Sequence, residues 1–88
     1  MIFELEFSEQ AKEDYKHHKK IGNKSVLNKI KRILEELTTT PYEGIGKPEA
    51  LKHELNGSWS RRINLVHRVV YQVIENVVYI ESIKGHYE

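Results

Sequence analysis

The sequence predicts a single α+β domain over residues 1–88: two N-terminal helices packed on a twisted, mainly antiparallel sheet, in the order βααββββ. Three observations lead there. A helical period of apolar residues is confined to the first half of the chain, while the second half is a series of short runs rich in Val, Ile and Tyr broken by turn signals. With 88 residues the chain has room for one core and no more. No internal repeat, linker or low-complexity tract interrupts it.

Phe3, Leu5 and Phe7 alternate with Glu4 and Glu6, the period-two pattern of a half-buried strand. Ser8 follows in an N-cap position, able to accept from the free amides of a first turn, and Ala11 and Tyr15 continue from Phe7 at four-residue spacing. This first helix is polar and runs to about Lys20, where Ile21-Gly22-Asn23 breaks it. Val26, Leu27, Ile30, Ile33, Leu34 and Leu37 then recur on one helical face, with Lys24, Lys29, Lys31, Arg32, Glu35 and Glu36 elsewhere. Three threonines and Pro41 end that helix, since β-branching and the restriction before proline both disfavour further turns. Residues 41–50 hold both prolines and two of the five glycines, which predicts an ordered loop. Leu51 to Leu55, a turn at Asn56-Gly57, and Trp59 to Ile63 predict a hairpin. His67 to Ile74 and Val77 to Ile83, joined at Glu75-Asn76, predict two more strands.

Composition limits the chemistry. There is no cysteine, hence no disulfide, thiolate zinc site or thiol nucleophile, and a reducing cytosol suits the chain best. No apolar run approaches the roughly 18 residues of a membrane span, and the start lacks the basic and apolar segments of a secretory signal, so a soluble, complete cytoplasmic protein is expected. The net charge of +1 conceals an asymmetry. Residues 44–72 carry five Lys and Arg against two acids, and no other stretch reads as an anion site.

Nucleophile-elbow, phosphate-loop and His-Glu-x-x-His patterns are absent from the sequence. His17 and His18 diverge by about 100° around a helix and read as a solvated pair. His53 and His67 stand in strands without a ligand-spaced partner, and read as buried or edge histidines; no metal is expected. The remaining polar set is Lys47, Glu49 and Lys52, then Arg61, Arg62 and Arg68, then His86 and Tyr87. Metal-free RNA cleavage needs a base for the ribose 2′-hydroxyl, cations for the phosphate, and an acid for the departing 5′-oxygen; this set contains each. If the turn centres near Leu65, Arg62 and Arg68 face each other across a hairpin, which calls either for a shared phosphate or carboxylate or for a separate surface acid beside each. Lys47 and Lys52 flank Glu49 and favour its ionised form. His86 and Tyr87 end the last strand, as site residues or as an exposed tail; Trp59 reads as a packing residue.

The segments Pro41-Tyr42-Glu43-Gly44-Ile45-Gly46-Lys47-Pro48-Glu49-Ala50-Leu51-Lys52-His53, Gly57-Ser58-Trp59-Ser60-Arg61-Arg62-Ile63, His67-Arg68-Val69-Val70-Tyr71 and the terminal His86-Tyr87 closely resemble the Txe/YoeB family of bacterial toxins, within the RelE-like superfamily. The resemblance spans essentially the whole chain. It implies a ribosome-dependent mRNA endonuclease that cuts the message in the decoding site and is neutralised by a YefM/Axe-type antitoxin, with no cofactor. It further implies Glu49 as general base, Arg68 as phosphate and transition-state stabiliser, His86 as general acid and Tyr87 as the residue orienting the substrate. Lys52 and Arg62 would support the phosphate, with Lys47 and Arg61 as further cations of the RNA site. Glu88 is added beyond the family's His-Tyr ending and would raise the His86 pKa by pairing with it. A homodimer and a toxin–antitoxin complex are both compatible with the resemblance. The alternative activity within the fold is that of ParE-like toxins, which bind a protein such as gyrase and cut no RNA; a blander one is an inactive module whose basic hairpin holds ribosomal RNA.

Overall fold

A computed structural model describes residues 2–52 and 57–85 of the protein. The elements are β1 (Glu4–Phe7), α1 (Glu9–Ile21), α2 (Lys24–Leu37), β2 (Glu49–Ala50), β3 (Trp59–Arg62), β4 (Arg68–Ile74) and β5 (Val77–Ser82). The order βααββββ is that expected. Both helix starts are set by side chains: Ser8 accepts from the Ala11 amide, and Asn23 from the Val26 amide. Between them Gly22, at φ +74°, ends α1 in the left-handed conformation, and its N–H closes on the His18 carbonyl.

The five strands form one sheet in the order β1-β5-β4-β3-β2. All neighbours are antiparallel except β1 and β5, the first and last strands, which run parallel with Leu5 opposite Val78 and Phe7 opposite Ile80. The helices lie over one face. Val26, Ile30, Ile33 and Leu37 of α2 are buried there with Val69, Tyr71, Val78, Ile80 and Ile83. Each of the fully buried Ile and Leu side chains contributes about 1.5–3 kcal/mol, so α2 is the element that secures the sheet.

Two expectations are corrected. The strand expected at Leu51–Leu55 is β2, Glu49–Ala50, just after Pro48 and paired with Ser60 and Trp59. Leu51 and Lys52 lie beyond it, although the Leu51 amide still donates to the Ser58 carbonyl at 2.8 Å; residues 53–55 and Asn56 of the expected turn lie outside the described residues. The solvated histidine pair is the second. His18 is only 3% exposed and its Nε2 lies 2.8 Å from the Ile83 carbonyl oxygen, because the buried face of α1 is Ala11, Asp14 and His18. Tyr15, four residues from Ala11, is 38% exposed.

Candidate active site

Strand register brings the candidate residues together. Glu49 stands opposite Ser60, and Arg62 opposite Arg68. Side chains alternate along a strand, so Glu49, Ser60, Arg62 and Arg68 share the sheet face turned away from the helices. Arg68 Nη1 donates to Glu49 Oε1 at 3.2 Å and to Ser60 Oγ at 3.1 Å. The Arg68 side chain is 18% exposed and that of Glu49 59%, so the guanidinium is seated while the carboxylate stays open to solvent. Arg62 has no carboxylate partner among the described residues and is exposed. Two facing arginines, of which only Arg68 has an acid beside it, leave an excess of positive charge that an anion can satisfy.

Arg61 leaves this set. Its alternation puts it on the helix side, opposite Val69, where it is fully buried. Nη1 donates to Glu36 Oε1 at 2.7 Å and to the Ile45 carbonyl at 3.5 Å, Nη2 to the carbonyls of Thr40 and Glu43, and Nε to the Tyr71 hydroxyl at 3.3 Å. No donor remains for a phosphate, so the expectation that Arg61 binds RNA is overturned. The guanidinium instead staples loop 40–46, which leads into Lys47 and Glu49, to the sheet. Burial raises the pKa of Glu36, but the hydrogen bonds from the Ile45 amide and Arg61, with the charges of Arg61 and Arg32, outweigh it and hold the carboxyl below its usual range. Burial pushes the Tyr71 phenol up, against the opposing pull of Arg61; the phenol donates to the Pro41 carbonyl at 2.6 Å.

The same loop places Lys47. Gly46, at φ +82°, accepts from the Arg62 amide at 2.6 Å, and a Cβ there would lie 2.8 Å from the Arg62 carbonyl oxygen. This close approach requires glycine. Next to it Lys29, Lys47 and Arg62 line a shallow cavity of about 420 Å³ with Ile63 and Leu65, and no carboxylate lines it. Lys29 is a residue that the sequence reading passed over. It precedes the core residue Ile30 on α2, and nothing local distinguishes it from Lys24 or Lys31. A larger cavity, about 560 Å³ along α1, contains none of the expected site residues.

Lys52 is exposed beyond β2. His67 precedes β4, half-buried, and its Nδ1 accepts from the Gly85 amide at 3.0 Å. Trp59 is half-buried against the core and packs on Tyr42, with ring centroids 5.0 Å apart, as a packing residue should. His53, His86, Tyr87 and Glu88 lie outside the described residues. Among the described residues no group of three His, Cys, Asp or Glu side chains has the arrangement of a metal site.

Comparison with known proteins adds identity to this geometry. The sequence model of the family described as YoeB-like toxin of bacterial type II toxin-antitoxin system matches residues 7–87. Toxin YoeB of Escherichia coli K12 is 41% identical over 83 residues, covering 94% of this chain and 98% of the relative. Among solved structures, the YoeB dimer of Staphylococcus aureus superimposes with a TM-score of 0.85 at 44% identity, covering 99% of this chain and 100% of that one. The toxin in the heterotetrameric YoeB–YefM complex of the same organism gives a TM-score of 0.83 with equal identity and coverage.

Proposed function

This chain belongs to the YoeB-like toxins of bacterial type II toxin-antitoxin systems, and from that membership we propose that it is a ribosome-dependent endoribonuclease cutting mRNA in the decoding site. The observation that carries the reading is the Glu49–Arg68 pair at 3.2 Å on an open sheet face, with Arg62 directly across from Arg68 and free of any acid among the described residues. The pair joins a proton acceptor to a phosphate ligand.

Glu49, open to solvent, takes the proton of the ribose 2′-hydroxyl. The 2′-oxygen attacks phosphorus, and the bond to the 5′-oxygen breaks, leaving a 2′,3′-cyclic phosphate. Arg68 exchanges its Glu49 contact for the phosphate, where the charge of the crowded intermediate grows; Ser60 keeps the guanidinium in place. Arg62, Lys47 and Lys52 neutralise the phosphates on either side, and Lys29 extends that row. His86 supplies the proton to the departing 5′-oxygen, and Tyr87 orients the substrate. The family relation supports the roles of His86 and Tyr87, which rest on sequence position.

The protein acts in the bacterial cytoplasm, as a homodimer in the free state. A YefM/Axe-type antitoxin silences it by placing Asp and Glu side chains on Arg62 and Arg68 in place of phosphates. Primer extension on a defined message, with and without programmed ribosomes, tests the reading. Cuts that require the ribosome and fall by about 10²–10⁴ in Glu49→Gln and His86→Ala are expected. Equal cutting by both variants defeats the mechanism. Arrested translation without any cut selects occupancy of the ribosome, and DNA damage preceding translation arrest in cells selects a gyrase-type target.

A further inference from the structure

The buried polar groups of α1 have no part in the chemistry just described, yet they converge on one short segment. Asp14 and His18 are 4% and 3% exposed and stand one helical turn apart. Asp14 Oδ2 accepts from the Ile83 amide at 2.9 Å, and His18 Nε2 meets the Ile83 carbonyl at 2.8 Å. Both polar backbone atoms of one residue are therefore gripped by one helix, which fixes its rotation as well as its place. Gln10 in turn donates to the other Asp14 oxygen at 2.8 Å. Two residues on, the Gly85 amide donates to His67 Nδ1 at 3.0 Å, and the Gly85 carbonyl accepts from the Arg68 amide at 2.9 Å.

These bonds also assign protons. A carbonyl only accepts, so His18 carries hydrogen on Nε2; an amide N–H only donates, so Nδ1 of His67 is bare and that ring is neutral. The two rings meet edge-on, with centroids 4.8 Å apart. Simple closure of α1 on the strand end would be served by leucines at lower desolvation cost. A buried carboxylate and imidazole add direction instead. The segment they direct is Ile83–Gly85, and His86 is joined to the very carbonyl that accepts from the Arg68 amide.

We propose that Asp14, His18 and His67 are positioning residues of the cleavage reaction: they lock the backbone of Ile83–Gly85 against the start of β4 and thereby set the point from which His86 reaches the leaving oxygen. This rests on the nuclease reading with His86 as acid. The lock requires neutral His67. Burial disfavours its imidazolium, the charges of His18, His17 and Lys84 add repulsion, and Asp14 alone opposes them, so the neutral form is favoured. Acidification therefore opens the lock at Nδ1.

The test is single-turnover cleavage on programmed ribosomes across pH 5–8, with toxin binding to the ribosome and exchange of the Gly85 amide measured on the same proteins. His67→Ala and Asp14→Ala should lower the rate at saturation by about 10- to 100-fold with ribosome affinity kept, and the Gly85 amide should lose protection in His67→Ala. His67→Asn, whose amide oxygen accepts in place of Nδ1, should restore the rate and remove the loss of activity on the acid side. His86→Ala reports the nuclease reading separately. If His86→Ala cuts like the parent, both readings fall. If it is inactive while His67→Ala and Asp14→Ala cut at the parental rate, or if His67→Asn is as slow as His67→Ala, only the positioning role is overturned.

Discussion

Replacing Arg61 by alanine removes a fully buried guanidinium and its hydrogen bonds to the Glu36 carboxylate, the Tyr71 hydroxyl, and the carbonyls of Thr40 and Glu43. Breaking a buried ion pair from one side costs about 3–5 kcal/mol; the carbonyls add little, because Thr40 and Glu43 are exposed and the Thr40 carbonyl keeps the Glu43 amide at 3.4 Å. These losses share one cavity and do not add. The Glu36 side chain is 32% exposed and recovers part of its hydration, which brings the total to about 3–5 kcal/mol. At about 2.1 cal/mol/K per residue, an 88-residue domain unfolds with an entropy near 0.19 kcal/mol/K, so the melting temperature should fall by about 15–25 °C. Arg62→Ala, one residue away, removes an exposed side chain and should change stability by no more than about 0.5 kcal/mol while weakening RNA binding. Urea and thermal unfolding of the two variants decide the matter. A loss below about 1 kcal/mol in Arg61→Ala, or an equal loss in both, refutes the division of the two arginines between core and site. Should the alanine variant fail to fold while Arg62→Ala folds normally, Arg61→Lys, which keeps the charge without the fork, should fold with intermediate stability.

Three further outcomes follow from the same geometry. The folded-state pKa of His67 lies below 6.5, so the unfolded chain binds the proton first; its contribution to stability is complete above pH 6.5 and is lost as pH falls toward the lowered value. Glu36 repeats this below pH 4.5, and urea midpoints against pH should show both steps, with the first missing from His67→Asn. Gly46→Ala meets both a left-handed φ and the Arg62 carbonyl, and should cost about 1–3 kcal/mol by urea unfolding; a neutral change contradicts the close approach. Lys29→Ala should weaken binding to single-stranded RNA and reduce the slope of log affinity against log salt by about 0.7, whereas an unchanged slope removes Lys29 from the phosphate row.

The Glu49–Arg68 pair has a consequence for regulation as well. In the free protein Glu49 accepts from Arg68 Nη1, so a phosphate that takes this donor displaces the carboxylate. Because Glu49 is largely exposed, it is rehydrated at little cost when released, and the exchange is cheap. Among the described residues Arg62 has no such partner to give up. Under the proposed function it is the first cation that an incoming phosphate or an antitoxin carboxylate would meet.

What the sequence determined by itself was local in origin. Ser8 and Gly22 bound α1 because a hydroxyl can cap amides and glycine tolerates positive φ, and the period of Val26 to Leu37 marks the buried face of α2; none of this needs a partner. The Arg62–Arg68 pairing was also legible, since a hairpin centred near Leu65 leaves one register. The same alternation already implied that Arg61 faces the other way, a signal present in the sequence and not used. Tertiary structure decided the rest. The parallel pairing of β1 with β5 joins strands 73 positions apart, and no local pattern encodes which edge a first strand will occupy. Asp14 and His18 are polar by composition and buried by circumstance, because only the arrival of the Ile83 backbone supplies bonds that repay their desolvation. Local sequence sets where the chain turns and which side of an element is apolar; whether a charged side chain becomes a core staple, as Arg61 does, or part of an open site, as Arg62 does, depends on partners supplied by distant segments of the chain.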